Sequence, residues 1–460
     1  MKKTLVKGAR YLVSSTPFGI LENASMVIED DRIAAVGPAA DLDALGPFDE
    51  IVDAAGKIVM PGLVDAHNHV GEAHMFVGFG FLQEPLRGIA DALEKVVWPA
   101  FVWMDEEKTY DMEMFGLLNL LKSGTTTVSD AFMFPDASAR AAIDSGLRVE
   151  VSPTLITSLE LPDQLDPETT LRNTEEAIRK WHGAADGRIT YRVHASATYN
   201  CHEWFLRECM ALAKKYDVGF CTHVAESVDE KEKANARWPQ GEIRRLYDMG
   251  LMGPKSLFFH CCVLDEEEIA LFAKTDTKVA HNPLTNCMLG NCAWVPKLLM
   301  EGVTVGLGTD MPIATMFNVM RCVSQIHSVM PRDPRGLMPW TPLELATAGS
   351  ARALNMEDSI GTLEPGKKAD WISLDLRGNT RLFPLTPAVL TTIVTAGASG
   401  CDLCDVMVDG KMLMQERTVL GLDQAAIIEK AARITEEYVA DFAGKAESTR
   451  IRTLHEEFMD

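Results

Sequence analysis

Eight times between residues 58 and 310, a short apolar run leads to a residue able to do chemistry. The runs end near His69, Asp130, Thr154, His194, His223, His260, His281 and Asp310. Between them lie stretches with helical spacing, over residues 112–122, 137–145, 167–181, 203–216, 242–248, 266–273 and 295–300. Strands separated by helices are joined by crossovers, and crossovers make a parallel sheet. An open doubly wound sheet and a closed (β/α)8 TIM barrel both satisfy the alternation. The barrel is expected, because polar residues fall at the C-terminal end of strand after strand, where such barrels build their sites.

The two ends of the chain have a different texture. Short alternating segments bounded by turns occur at residues 24–29 and 32–38, and again at 369–374 and 405–411. They predict one small β-domain made from residues 1–59 and 363–422, with the barrel over 60–362. Residues 423–460 read as a charged helical tail, packed on the barrel or on a second subunit.

Composition narrows the classes of partner. The formal net charge of the 460 residues is −22, which repels nucleic acid. No apolar run approaches the roughly 20 residues that span a bilayer, so no membrane partner is expected. Lys7 and Arg10 interrupt any leader-like core near the N-terminus, and a cytoplasmic location is expected. All ten cysteines lie from Cys201 onward and read as reduced thiols. Cys401 and Cys404 have the spacing of half a zinc site, but no second pair completes it.

The chemistry starts at His67 and His69. In an extended chain residues i and i+2 project to one face, so both imidazoles reach one point above the strand end. His223 ends the fifth strand, with Glu226 three residues on; His260 ends the sixth; Asp310 ends the eighth, after Gly306 and Gly308. A single one of these side chains is compatible with a hydrogen-bonded core residue. Together His67, His69, His223 and Asp310 offer three nitrogens and one oxygen to one divalent cation, leaving room for water.

An ordered set of motifs carries a resemblance over nearly the whole chain. It runs through Pro61-Gly62-Leu63-Val64-Asp65-Ala66-His67-Asn68-His69, Ser123-Gly124-Thr125-Thr126-Thr127, His223-Val224-Ala225-Glu226, His281-Asn282-Pro283 and Gly308-Thr309-Asp310, to Gly361-Thr362-Leu363-Glu364-Pro365-Gly366. The chain resembles the amidohydrolase superfamily, in the branch of S-adenosylhomocysteine and guanine deaminases and triazine hydrolases. The resemblance implies a metal-dependent (β/α)8 hydrolase with a composite β-sandwich. It implies His67, His69, His223 and Asp310 as metal ligands, Asp310 also accepting a proton from the bound water. His260 is implied as a partner of that water or a further ligand, and Glu226 as the proton shuttle. Binuclear relatives use a carboxylated lysine on the fourth strand; residues 189–194 contain none, so one metal is expected, Zn first, with Fe, Co or Mn as alternatives. The family positions of His194, His281 and Asn286 imply substrate contacts, while His74, His182, His202, His327 and His455 carry no such placement. A homodimer or larger assembly is expected by analogy.

Departures from the family pattern bear on substrate. Met311-Pro312-Ile313 replaces a polar run after the aspartate, and Ala100 stands where a carboxylate usually follows Trp98-Pro99. Residues 74–81 and 132–134 are rich in aromatic side chains, Phe79 among them. If Phe79, Trp98 and their neighbours line the mouth, the pocket favours a neutral, apolar small molecule; packing of a lid or a subunit interface is the alternative. The leading expectation is hydrolysis of an amide, urea or (thio)carbamate C–N bond, as in phenylurea and molinate hydrolases. Deamination of a heteroaromatic ring such as a purine, pterin or triazine is the alternative. Triazine dechlorination and a non-catalytic assembly protein are more distant.

Overall fold

Eight strands run parallel in hydrogen-bonded succession, each the neighbour of the next. They are Leu63–Asn68, Thr125–Asp130, Arg148–Val151, Ile189–Ala197, Gly219–Val224, Ser256–His260, Lys278–His281 and Val305–Leu307. The ring is closed between first and last by a parallel bridge of Asn68 with Asp310. There the Asp310 N–H donates to the His67 carbonyl (2.9 Å) and the His69 N–H to the Asp310 carbonyl (3.0 Å). The expected TIM barrel is therefore the fold. The computed structural model describes residues 1–16, 19–75, 80, 88–157, 166–311, 314–329, 337–375, 377–379 and 385–459, with the backbone alone at 90, 94 and 442–459.

Side-chain alternation sorts each strand into two faces. Val64, Ala66, Cys221, Leu257, Phe259 and Ala280 face the barrel axis, where they pack with Ala351, Leu354 and Ile360. Their neighbours Val193, Phe220, Phe258, Val279, Val305 and Leu307 face the helical layer. The helices Pro167–Trp181, Glu203–Tyr216, Glu242–Asp248 and Val295–Met300 fall where their spacing predicts. The segment expected from 112 begins earlier, at Glu106, because Asp105 caps it by accepting the Lys108 N–H.

Three strand ends differ from expectation. The third strand stops at Val151, and the short pair Thr154–Leu155 rejoins the sheet beside His194. The fourth runs on to Ala197, three residues past His194. The eighth ends at Leu307, so Asp310 stands on the loop above it, with a left-handed φ of 63°.

Both chain ends build a second sheet of nine strands. At its centre Ile58–Pro61 lies parallel to Lys3–Ser15 and antiparallel to Trp371–Leu374, so the N- and C-terminal contributions meet on one strand. Arg148, at the start of the third barrel strand, donates to Asp370 (3.0 and 3.1 Å) and to Asp409 (3.3 Å), which ties the barrel to this sheet. The tail is a helix, Gln424–Met459, docked on the helix Glu106–Lys122. Lys430 pairs with Asp111 (2.8 Å), Trp103 donates to Asp441 (2.8 Å), and Tyr438 packs edge-on against His74.

Candidate active site

Four strand ends bring His67, His69, His223, His260 and Asp310 together over the barrel axis. Alternation alone does not do this. Val64 and Ala66 face inward, which would turn His67 outward, but the pairing register of the first strand shifts between Asp65 and Asn68. A bulge of this kind re-aims a side chain, and the His67 ring lands on the inward-facing Phe259, with centroids 3.8 Å apart. On the sixth strand His260 shares the parity of the helix-facing Phe258, and a left-handed φ of 69° swings it back to the axis. Non-glycine residues in that conformation cost free energy and gather at functional sites.

The imidazoles are held from behind. His69 Nδ1 lies 2.7 Å from the Ala131 carbonyl and 3.0 Å from Glu72; His223 Nδ1 lies 2.7 Å from the Ser196 carbonyl. Such contacts on one ring nitrogen orient the other, the arrangement found around metal-ligating histidines. His67 Nε2 is 3.0 Å and His69 Nε2 3.4 Å from the same Asp310 oxygen. Neither nitrogen of His67, which is fully buried, has a hydrogen bond among the described residues. A buried imidazole and a carboxylate that meet without a well-formed hydrogen bond are costly unless a cation joins them. The donor set of imidazoles and one carboxylate therefore fits a divalent metal ion.

The electrostatics divide the rings: at His69 burial alone would lower the imidazole, but Glu72 and Asp310 beside it hold it well above its ordinary value, so a metal ion there displaces a proton. Burial pushes the His67 imidazole down to about 4 and His260 down to about 3, and it holds His223 well below its ordinary value, so these rings are neutral at pH 7. Asp310 remains ionised: burial alone would raise it, but His67 and His69 beside it hold it well below the usual carboxylate range. Glu226 behaves oppositely. Burial, with Glu230 and Asp310 nearby, lifts its carboxyl well above the ordinary value. Its Oε1 makes no hydrogen bond among the described residues, faces the pocket, and lies 3.6 Å from His260 Nδ1.

Above the cluster much of the pocket wall is apolar, with Tyr199, Glu230 and Thr285 as polar exceptions. Met75, Leu93, Val97, Trp98, Phe101 and Met311 line it. Trp98 is among these walls, while Phe79 lies outside the described residues. Phe132 instead packs on Phe101 beneath the helical layer, and Met133 and Phe134 line a separate cleft. Asn286 approaches the site through His260, its Nδ2 2.8 Å from the ring Nδ1. His194 stands behind His223, with their nitrogens 3.2 Å apart, and is not among the pocket walls. His281 shares the outward parity of Val279 and meets His327 in the helical layer; its inward neighbour Asn282 reaches His260.

Four groups at the site have little sequence signal. Glu72 backs His69, and Asn282 backs His260. Glu230 accepts the backbone N–H of Glu226 (2.6 Å), and Tyr199 lines the pocket. Glu230 stands four residues beyond Glu226, one helical turn, and that spacing is the one available hint.

Comparison with known proteins agrees with this architecture. The amidohydrolase family model matches residues 58–413. A 5'-deoxyadenosine deaminase of Methanosarcina acetivorans is 34% identical over 446 residues, covering 96% of this chain and 99% of that enzyme. A 5-methylthioadenosine/S-adenosylhomocysteine deaminase of Desulforudis audaxviator is 34% identical over 414 residues, 89% of this chain and 93% of that one. Among solved structures, an adenosine deaminase of Xanthomonas campestris with bound zinc superposes with a TM-score of 0.86 at 24% identity, covering 96% of this chain and 99% of that one. An atrazine chlorohydrolase of Arthrobacter aurescens complexed with zinc gives 0.82 at 23% identity, covering 94% and 100%; at such identities these two likenesses show the fold. The chain belongs to the amidohydrolase family and is a metal-dependent hydrolase of carbon–nitrogen bonds.

Proposed function

We propose that the enzyme hydrolyses an amide, urea or (thio)carbamate C–N bond in a neutral, apolar small molecule. The observation that carries this reading is the wall of Met75, Leu93, Val97, Trp98, Phe101 and Met311 directly above the His and Asp cluster. Apolar side chains of this kind recognise a ligand by shape and apolar area.

In this reading His67, His69, His223 and Asp310 hold one divalent ion, zinc in the first instance. When bound, such an ion would supply the acidity that turns water into a nucleophile at neutral pH. Asp310, held ionised by His67 and His69, would accept the proton of the attacking water. Glu226, protonated by virtue of its burial, delivers a proton to the departing nitrogen, and its unpartnered Oε1 is free to do so. His260, neutral and braced by Asn286 and Asn282, would orient that water. The fourth strand supports a single ion: its inward residues near the mouth are His194 and Ser196, neither a lysine.

A second reading, hydrolytic deamination of a heteroaromatic ring, is favoured by the names of the two deaminases similar to this chain. Both begin with attack on an sp² carbon and differ in what leaves. Incubation of the metal-replete enzyme with aryl ureas, thiocarbamates, anilides, aminopurines, aminopterins and chlorotriazines, read by mass spectrometry of products, separates them. Splitting of a substrate into an amine and a second fragment supports the first reading; ammonia release with the ring skeleton intact replaces it with the second. We also infer a cytoplasmic location, in keeping with ten cysteines that form no disulfide, and a homo-oligomer whose stoichiometry is to be read by light scattering.

A further inference from the structure

The outward turn of His281 leaves it in a second cluster that the proposed chemistry does not use. His281 ends the seventh strand, His327 lies near the end of the helix Met316–Val329, and Cys292 sits on the segment between the helices Pro283–Met288 and Val295–Met300. One ligand atom from each lies within 4.8 Å of the others, and the two rings are tilted at 46° with centroids 5.4 Å apart. His281 is fully buried and His327 is 2% exposed. Neither nitrogen of either ring has a hydrogen bond among the described residues. Four unpartnered imidazole nitrogens in one apolar layer is an expensive arrangement, since a buried imidazole ordinarily finds a partner for each nitrogen.

We propose that His281, Cys292 and His327 form a second metal site, selective for a thiophilic divalent ion such as zinc and independent of the cluster at the barrel mouth. Two neutral imidazoles and one thiolate are a donor set that zinc accepts, with a fourth position left for water. Burial keeps both rings neutral, and half-buried Cys292 stands on the solvent side of the two rings' burial. On binding, the Cys292 thiol gives its proton to solvent as the S–metal bond forms, so uptake strengthens as pH rises. The three ligands come from three separate segments, which the ion cross-links. One of them directly precedes Asn282, which braces His260, so the site stiffens the rim of the active site from outside.

The donor sets give the two sites different signatures. The cluster of His67, His69, His223 and Asp310 contains no sulfur, so cobalt bound there gives no thiolate-to-metal charge transfer. Full-length apoprotein titrated with cobalt is expected to take up two equivalents and to develop an intense near-ultraviolet thiolate band. Cys292→Ser, a one-atom exchange at a half-exposed position, is expected to abolish the band and one equivalent of metal, and His327→Gln to weaken both. Asp310→Ala should leave the band intact, which keeps this test separate from that of the proposed function. Absence of the band at saturating cobalt overturns the proposal. So does a band that survives Cys292→Ser, which would point instead to Cys287 and Cys322, whose sulfurs are 3.9 Å apart.

Discussion

Glu226 and Glu72 are both buried carboxyl groups beside the same histidine cluster, and substitution should separate their roles. Glu226 faces the pocket with an unpartnered oxygen, so Glu226→Gln removes a transferable proton and little else. A loss of about 10² to 10⁴ in kcat is expected, with metal content unchanged by plasma mass spectrometry. Glu72 touches His69 from behind. Glu72→Ala should lower metal affinity by roughly 10 to 100-fold, read by competition with a chelator, and activity should return with excess metal. Asp310→Ala, by contrast, should abolish turnover while the far-ultraviolet circular dichroism is retained. At this scale the cluster itself was legible, because His67, His69, His223, His260 and Asp310 all follow apolar runs. Strand parity was the harder signal. Extending the inward set Leu257, Phe259 and Ala280 by alternation would have placed Asn282 inside and His281 outside. No periodicity shows the bulge at Asp65–Asn68 or the left-handed turn at His260, because both are irregularities of pairing and backbone.

Among the elements, the C-terminal helix has a dependence on pH that follows from what it covers. His74 is fully buried between Trp103 and Tyr438, and burial lowers its imidazole from 6.5 to about 4. A histidine depressed in the folded state stabilises it fully above the unfolded value, and that contribution is lost as pH falls from about 6.5 towards 4. The loss amounts to on the order of 3 kcal/mol. It should appear as helix release near pH 5, detected by limited proteolysis within residues 424–459. His74→Leu should flatten that response; an unchanged proteolysis profile would refute the assignment to His74. The tail was readable as a helix from composition, and its docking on the barrel was one of two stated options. The role of His74 was not, since nothing local marks a histidine that a segment more than 350 residues downstream will cover.

For the molecule as a whole, the barrel and the sheet built from the chain ends are joined by a buried ion pair. The Arg148 and Asp370 side chains are 6% and 3% exposed and meet in a two-pronged contact. Asp370→Ala strands a buried guanidinium beside Asp409 alone and should cost about 3 to 5 kcal/mol, read from urea unfolding. Arg148→Met/Asp370→Leu together should recover most of that loss. The barrel was legible from its eight repeats, whereas the order of strands in the second sheet was not, because short alternating segments carry no address for their partners. That order has a consequence during synthesis. Ile58–Pro61 leaves the ribosome with one edge open, and the strand that covers it begins at Trp371, some 310 residues later. At about 5 to 20 residues per second the edge stays uncovered for roughly 15 to 60 s. An unpaired strand edge is a template for other chains, so aggregation hazard is greatest in the nascent chain, before translation reaches the residues that finish the sheet.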